Sequence, residues 1–211
     1  LRAPCDVTCI TAQTVGAALV IDASKHLNRV IEVDAAAGRA LVEPGTVLDH
    51  LNARLKADGL WFPVDVSTAA QATIGGMAGN NSCGSRSLPY GHIGPRRTGI
   101  LWRREEDEID RRFPKVARRV AGYNLDALDP ADLNLARLLV GSEGTLAWFE
   151  RLELALAPLP RHKALGVAHF PRFYDAMDAA QHIVKLGPCA VELVDRTMIE
   201  LSRANPAFAP T

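Results

Sequence analysis

The sequence has few cysteines, and their positions exclude two classes of protein. The four cysteines are Cys5, Cys9, Cys83 and Cys189, an arrangement that is not a disulfide scaffold and that fits a reducing cytosol. Cys5 and Cys9 have no second cysteine pair and no histidine cluster beside them, so their spacing does not indicate a metal site. The six histidines are spread along the chain without metal-binding spacing. We therefore expect a cytoplasmic protein that holds no metal.

Net charge and long apolar runs are also missing. The 24 basic residues balance the 24 acidic residues, which gives no indication of nucleic-acid binding. No apolar run reaches about 18 residues, so we expect no transmembrane segment. The first residues lack the long apolar stretch of a signal peptide. An apolar content of 48% can support a core and argues against disorder.

What the sequence does have is a stretch rich in glycine and asparagine at residues 72–85. It holds four glycines, the adjacent Asn80 and Asn81, and no charged side chain. Glycine lets backbone N–H groups approach a bound phosphate or ring, and amide and hydroxyl groups donate hydrogen bonds without net charge. This chemistry suits a large nucleotide cofactor, although such a cluster alone is more often an ordinary loop. Neither the alternating-glycine dinucleotide fingerprint nor a phosphate loop ending in Gly-Lys-Ser/Thr is present.

A second glycine motif, Val-Gly-Ser-Glu-Gly-Thr-Leu at residues 140–146, follows an apolar run. Together with residues 63–85 it resembles the FAD-linked oxidases of the vanillyl-alcohol-oxidase and p-cresol-methylhydroxylase fold. The nearest branch is that of the bacterial D-lactate, D-2-hydroxyglutarate and glycolate dehydrogenases. Further segments fit that branch in the same order, namely residues 13–16, 20–29, 42–45 and 119–125.

The resemblance implies an α+β fold in two parts. Residues 1–160 would be an FAD-binding domain of this type, incomplete because its first phosphate loop is missing. Residues 161–211 would begin an α+β substrate, or cap, domain. In that second part, segments 165–170, 174–186 and 190–194 predict a strand, a helix and a strand.

The resemblance also implies an FAD-dependent dehydrogenase. It would oxidise a D-2-hydroxy acid such as lactate, glycolate or 2-hydroxyglutarate to the 2-oxo acid, with hydride transfer to flavin N5. Electrons would leave to an acceptor protein or a quinone, which is consistent with a place in the cytoplasm or at the periphery of the inner membrane. No residue is assigned to catalysis. By this resemblance the cofactor would be lined by Pro63, Ser67, Thr68, Thr73, Ile74, Gly75, Gly76, Asn80, Asn81, Gly84, Tyr90, Gly91, Gly141, Glu143 and Gly144.

The sequence departs from the family pattern in three places. Residues 5–12 replace the expected phosphate loop rich in arginine and glycine, and Asp6 puts negative charge there. A strand hairpin is missing between Gly91 and Arg119, and the substrate domain ends early. We therefore expect this chain alone to bind FAD weakly or not at all. A non-catalytic remnant or companion subunit, and another flavin enzyme such as an alcohol or sugar oxidase, stay open as alternatives.

Apolar spacing predicts the elements around the first motif. Residues 30–34 and 39–42 read as a β-hairpin. Thr46 reads as the N-cap of a helix that Gly59 ends. A short helix is expected to begin within residues 72–77, with its N-terminal N–H groups facing an anion.

Other segments are assigned in the same way. Residues 17–22 and 148–156 read as strands, and residues 103–119 as a solvated, ion-paired helix that Pro114 splits. Tyr123 and Asn124 fit either contact with substrate or a capping and packing role. His92 is the one histidine placed beside the expected flavin wall.

Overall fold

The computed structural model describes residues 21–83, 100–116, 122–127 and 135–206. The chain divides into two compact units, Leu1–Pro160 and Arg161–Thr211. Each unit is described by itself below. Of the predicted first strand, residues 17–20 lie outside the described residues, and residues 21 and 22 are not in a strand.

The first unit contains a three-stranded antiparallel sheet. Strand β1 (Val30–Asp34) pairs with β2 (Arg39–Val42), and β2 pairs with β4 (Leu152–Ala155). The predicted hairpin is therefore confirmed. Strand β4 is shorter than the predicted strand 148–156, because its partner β2 offers only four residues for the antiparallel ladder. A second, two-stranded sheet pairs β3 (Leu60–Trp61) with β5 (Ala157–Pro158).

Helix α1 (Leu48–Leu55) packs three leucines into the core at helical spacing. Its N-cap is Val47 and not the predicted Thr46, whose hydroxyl instead donates a 3.3 Å hydrogen bond to the Arg29 carbonyl. A 3₁₀ turn (Lys56–Asp58) follows α1. It ends at Gly59, which has the left-handed φ of 68° that glycine adopts without steric cost. The predicted helix end is confirmed.

The core of the first unit lies between α1, the three-stranded sheet and the short helix α2 (Ile74–Gly79). Five of the six residues of helix α2 are buried. The buried apolar side chains of this core are Ala40, Val42, Leu48, Leu51, Leu55, Phe62, Val64, Ala72, Ile74, Met77 and Leu154.

The charge-rich segment forms helix α3 (Ile100–Arg112), which has a kink at Glu105. It ends before Pro114, because proline has no N–H to continue the helix. The predicted helix was expected to extend to residue 119, but residues 115 and 116 are not helical and residues 117–119 lie outside the described ones. Glu108 pairs with the two arginines that end the helix. The prediction of a solvated, ion-paired helix is confirmed for these described residues. Further along, a 3₁₀ turn (Leu125–Ala127) and helix α4 (Ala136–Leu139) precede the second glycine motif.

The second unit contains helix α5 (Phe173–Ile183), a 3₁₀ turn (Val184–Leu186) and helix α6 (Arg196–Ala204). The predicted helix at 174–186 is confirmed, whereas the sequence argument missed α6. The predicted strands at 165–170 and 190–194 are wrong, because neither segment forms a ladder with the described residues. No described residue of this unit is buried, so these apolar segments lack the packed face that stabilises a strand.

Candidate functional site

The predicted short helix exists, but its first amide groups do not face an open anion site. The amide of Ile74 donates to the Thr46 carbonyl at 2.9 Å, and that of Gly75 donates to the Pro44 carbonyl at 2.7 Å. The Gly76 amide donates to Oγ1 of Thr73, the N-cap, at 3.3 Å. Since a bound phosphate would have to replace these bonds, the expectation of an anion at this helix N-terminus is wrong.

The opposite end of α2 joins the first glycine motif to the second. The amide of Gly141 donates to the Ala78 carbonyl at 2.9 Å, and the amide of Glu143 donates to the Gly79 carbonyl at 2.8 Å. A Cβ added at Gly141 would lie 3.3 Å from the Asn81 Cβ. The structure therefore brings Asn80 and Asn81 next to the loop of residues 141–144, which we call the 141 loop.

Left-handed backbone conformations shape both sides of this junction. Gly141 and Gly144 have φ values of 84° and 70°, which glycine tolerates because it has no Cβ. Asn81 and Glu143 are the two non-glycine residues among the described ones with positive φ, at 53° and 55°. Asparagine adopts this region more readily than most residues, but glutamate does not. Such conformations concentrate at functional sites.

The segment of residues 122–127 holds the 141 loop from another side. Asn124 is buried, and its Nδ2 donates a 2.7 Å hydrogen bond to the Val140 carbonyl. The Tyr123 hydroxyl and Oγ1 of Thr145 are hydrogen-bonded at 2.8 Å. Thr145 Oγ1 also donates to the Ser142 carbonyl at 2.5 Å. These bonds give Tyr123 and Asn124 a packing role, one of the two roles that the sequence left open.

Three polar atoms at this junction have no hydrogen-bond partner among the described residues. They are Oδ1 of Asn81, Oγ of Ser142 and Oε2 of Glu143, and each of these atoms is buried from solvent. Asn81 is 3% exposed and Ser142 is 1% exposed. Buried polar atoms are nearly always hydrogen-bonded, and leaving one unpaired costs about 1–3 kcal/mol. The junction therefore offers three unmet hydrogen-bonding positions to a ligand.

The carboxyl groups of Glu143 and Glu43 have pKa values shifted in opposite directions. Burial raises its pKa above the ordinary value of 4.5, because removing water disfavours the charged form. Glu43 shows the opposite behaviour, since hydrogen bonds from Arg29 lower the pKa of that carboxyl. At the 141 loop, therefore, the carboxyl keeps its proton to a higher pH than an exposed glutamate does.

Three further predicted site residues lie in the segment between β3 and α2. Pro63 and Thr68 are half-buried, and Ser67 is exposed. The Thr68 carbonyl accepts 2.8 Å hydrogen bonds from the amides of Gln71 and Ala72, which closes a turn. The same turn packs against the first residues of α1, where the Leu48 amide donates to the Ala72 carbonyl at 2.9 Å.

Several predicted residues lie outside the described ones, namely Gly84, Tyr90, Gly91 and His92. Conversely, the sequence argument missed the buried hydroxyl of Ser142 and left the role of Asn124 undecided. The signal available in the sequence was a glycine close to each residue, Gly141 and Gly122, because glycine often marks a left-handed turn. Both glycines do have positive φ. Within residues 21–83, 100–116, 122–127 and 135–206, no group of three or more His, Cys, Asp or Glu side chains could hold a metal ion. The same residues include no helix long and apolar enough to cross a membrane.

Two family models match this chain. The first, described as an FAD binding domain, matches residues 6–97. The second, described as the C-terminal domain of FAD linked oxidases, matches residues 159–210.

Curated relatives match most of the chain. D-2-hydroxyglutarate dehydrogenase of Pseudomonas putida is 30% identical over 87% of this chain and 22% of its own length. Glycolate oxidase subunit GlcD of Bacillus subtilis is 33% identical over 82% of this chain and 35% of its own. D-lactate dehydrogenase [cytochrome] of Arabidopsis thaliana mitochondria is 31% identical over 78% of this chain and 28% of its own. The chain thus spans between about a fifth and about a third of the length of these relatives.

Among solved structures, an alkyldihydroxyacetonephosphate synthase matches with a TM-score of 0.55 and 23% identity. The match covers 81% of this chain and 29% of the synthase. At this identity the likeness shows the fold alone.

Proposed function

Since the chain belongs to the FAD-linked oxidase family, we propose that it is the FAD-binding part of a dehydrogenase for D-2-hydroxy acids. The substrate would be lactate, glycolate, 2-hydroxyglutarate or a similar acid, and the product its 2-oxo acid. Three of the relatives support this class, because the compounds in their names are all 2-hydroxy acids.

The observation that carries the proposal is the junction of the two glycine motifs. Asn81 Oδ1 needs a hydrogen-bond donor and Ser142 Oγ can donate or accept. The Glu143 carboxyl can accept in either form and can also donate when it is protonated. A flavin nucleotide presents ring N–H and carbonyl groups, sugar and ribityl hydroxyls and phosphate oxygens. The residues present at the junction therefore fit the family's cofactor, FAD.

We propose that Asn80, Asn81, Gly141, Glu143 and Gly144 contact FAD. Thr73, Ile74, Gly75 and Gly76 have a different role in this proposal, because their backbone bonds hold α2 in place and so position the asparagines at its end. Pro63, Ser67, Thr68, Gly84, Tyr90 and Gly91 stay predicted cofactor contacts.

When bound, FAD supplies the hydride acceptor at N5, and the protein supplies binding and orientation. We propose an acceptor protein or a quinone as the electron acceptor. The relative from Arabidopsis thaliana supports this step, since its name includes a cytochrome. We also propose the cytoplasm, or the periphery of the inner membrane, as the location, because the cysteines do not form a disulfide scaffold.

The proposed domain division follows the same evidence. Residues 1–160 would be the FAD-binding domain and residues 161–211 the beginning of the substrate domain. The separation of the two compact units after Pro160 and the start of the second family match at residue 159 support this division.

The test is a titration of the purified chain with FAD, followed by flavin fluorescence. We expect saturable binding that is weak enough to be lost on desalting. The Asn81→Gly variant keeps the left-handed backbone but removes Oδ1, and we expect its Kd to rise about tenfold, the equivalent of one hydrogen bond. Asn205→Gly, in the second unit, serves as the control and should bind as the parent does.

Two results would contradict the proposal. If the parent chain shows no saturable FAD binding, the chain is not a flavin-binding unit, and the companion-subunit alternative becomes the one to pursue. If Asn81→Gly binds FAD as tightly as the parent chain, the junction of the glycine motifs is not the site. Reduction of a dye by the FAD-loaded chain with D-lactate, glycolate or D-2-hydroxyglutarate then tests the substrate class.

A further inference from the structure

The backbone of Glu143 is held in place by the protein, whereas one oxygen of its carboxyl is left without a hydrogen bond in the part of the chain that the structure describes. Its backbone is fixed by the 2.8 Å bond from its amide to the Gly79 carbonyl and by a left-handed φ of 55°. Its Oε2, in contrast, is buried without a hydrogen-bond partner among the described residues. A glycine would satisfy that backbone conformation at lower cost. The carboxyl therefore needs an explanation other than the turn itself.

The chemistry around the carboxyl decides which of its forms is present. Helix α2 carries no titratable side chain, and residues 80–83 carry only Cys83. Helix α4 carries Arg137, and residues 122–127 carry Tyr123 and Asp126. None of these charges is the cause of the raised pKa of Glu143, which comes from burial. The carboxyl is thus a neutral acid over a wider pH range than an exposed glutamate.

A neutral and an ionised carboxyl would treat a flavin nucleotide differently. The neutral form has one O–H donor and an acceptor oxygen, whereas the ionised form can only accept. The pyrophosphate of FAD is negatively charged, so an ionised carboxylate near it would also repel it. Asn81 Oδ1 and Ser142 Oγ lie in the same junction and lack partners as well.

We propose that the Glu143 carboxyl, in its neutral form, donates a hydrogen bond to the bound FAD, so that ionisation of this one side chain weakens cofactor binding. This inference rests on the proposed function and adds a role for the side chain, beyond the backbone contacts of the 141 loop. Linkage gives the sign of the effect. FAD binds the protonated form better, so affinity falls as the pH rises through the pKa of Glu143, and FAD binding in turn takes up a proton.

The test compares FAD titrations of the parent chain and Glu143→Gln between about pH 4 and pH 8.5, a range that spans the ordinary glutamate and histidine pKa values. Glutamine keeps the shape of a neutral carboxyl and cannot ionise. We expect the Kd of the parent chain to rise about tenfold across this range, which corresponds to a pKa difference of one unit between the free and bound states. The Kd of Glu143→Gln should stay constant. Glu150→Gln, which removes an exposed carboxyl nearby in the sequence, should follow the parent.

The outcomes separate this inference from the proposed function. If the parent and Glu143→Gln bind FAD with the same pH profile, the inference is overturned and the proposed function survives. If no variant binds FAD at any pH, the proposed function fails and this inference fails with it. Calorimetry of the parent chain alone, in two buffers of different ionisation enthalpy, gives a second readout that needs no variant. Net proton uptake on FAD binding supports the inference, and its absence overturns it.

Discussion

Gly75 lies so close to Pro44 that a Cβ added at Gly75 would stand 2.5 Å from the Pro44 Cβ. The Gly75 amide also donates a 2.7 Å hydrogen bond to the Pro44 carbonyl. This glycine therefore lets α2 dock on the turn that ends β2, and its role is explained by packing of the protein against itself. The same motif contributes to the site through its other end, where Asn81 meets Gly141.

Gly75→Ala should destabilise the chain, because the new methyl group would overlap backbone and ring atoms of Pro44 that cannot rotate away. We expect a loss of about 1–3 kcal/mol in the free energy of unfolding, as for other overpacked sites. Chemical denaturation measures it. Gly166→Ala is the matched control, since a Cβ at Gly166 meets nothing within 4 Å. Equal stabilities of the two variants would contradict the close approach.

A comparison of Gly141→Ala with Gly122→Ala separates the cost of a strained backbone from the cost of a steric clash with neighbouring residues. Both glycines have positive φ, at 84° and 77°. An alanine in this left-handed conformation should therefore lower the free energy of unfolding by roughly 1–2 kcal/mol. Only the Cβ at Gly141 also meets other residues, including the Asn81 Cβ at 3.3 Å. We therefore expect Gly141→Ala to lose more stability than Gly122→Ala in denaturant unfolding. The reverse order would mean that the junction packs differently.

Asn124→Asp should loosen the 141 loop. The change is almost isosteric, but a carboxylate cannot donate to the Val140 carbonyl, which Asn124 Nδ2 now contacts at 2.7 Å. We expect a loss of about 1–3 kcal/mol, the usual cost of a buried polar group that loses its partner. Tyr123→Phe removes the bond to Thr145 at an exposed position and should cost less. If Tyr123→Phe is the more damaging change in thermal unfolding, Asn124 is not the main support of the loop.

Glu43→Gln should change how the free energy of unfolding depends on pH in acidic solution. Hydrogen bonds from Arg29, with Nη2 at 2.7 Å from Oε1, lower the pKa of Glu43 below 4.5. A carboxyl with a lowered folded pKa contributes stability that is present above the unfolded value and is lost as the pH falls through the folded value. The variant should therefore lose less stability than the parent between pH 4.5 and the acid transition.

Denaturant unfolding at several pH values checks this prediction. Glu153→Gln is the control, because Glu153 pairs with Arg39 on the surface with both side chains 61% exposed, and such pairs contribute little. A parent profile identical to that of Glu43→Gln would show that the Arg29 pair does not govern the acid transition.

The expected family and cofactor are confirmed by the matches to FAD-binding and FAD-linked oxidase models. The expected fold is confirmed by the same FAD-binding match and by the likeness to a solved structure. These were predictable because the two glycine motifs and the accompanying segments occur in a fixed order. The assignments of the individual site residues stay predictions. The first amides of α2 illustrate why. They donate to the carbonyls of Pro44 and Thr46, which lie about 30 residues earlier in the chain. The local sequence around α2 contains no pattern that predicts this pairing.

The two failed strands of the second unit have a related explanation. Residues 165–170 and 190–194 have the composition of strands, but a strand requires a neighbour to bond its backbone. Helix α6, in contrast, was accessible to local reasoning, because the Asp195 side chain accepts a 2.7 Å bond from the Met198 amide as an N-cap. That signal was overlooked. The sequence could therefore have predicted α6. It could not have predicted that residues 165–170 and 190–194 form no strand pairing with the other described residues.

The sequence by itself determined the elements whose hydrogen bonds close within a few residues, such as the β1–β2 hairpin, the helix ended at Gly59 and the helix capped by Thr73. It also determined the family, through motifs in order. Only the tertiary structure decided that the α2 amides are already bonded, that Gly141 and Glu143 attach to the end of that helix, and that Asn81, Ser142 and Glu143 keep buried polar atoms without partners. The physical reason is that satisfaction of a polar group depends on which distant segment lies against it, whereas helix and turn formation depend on neighbours in the chain.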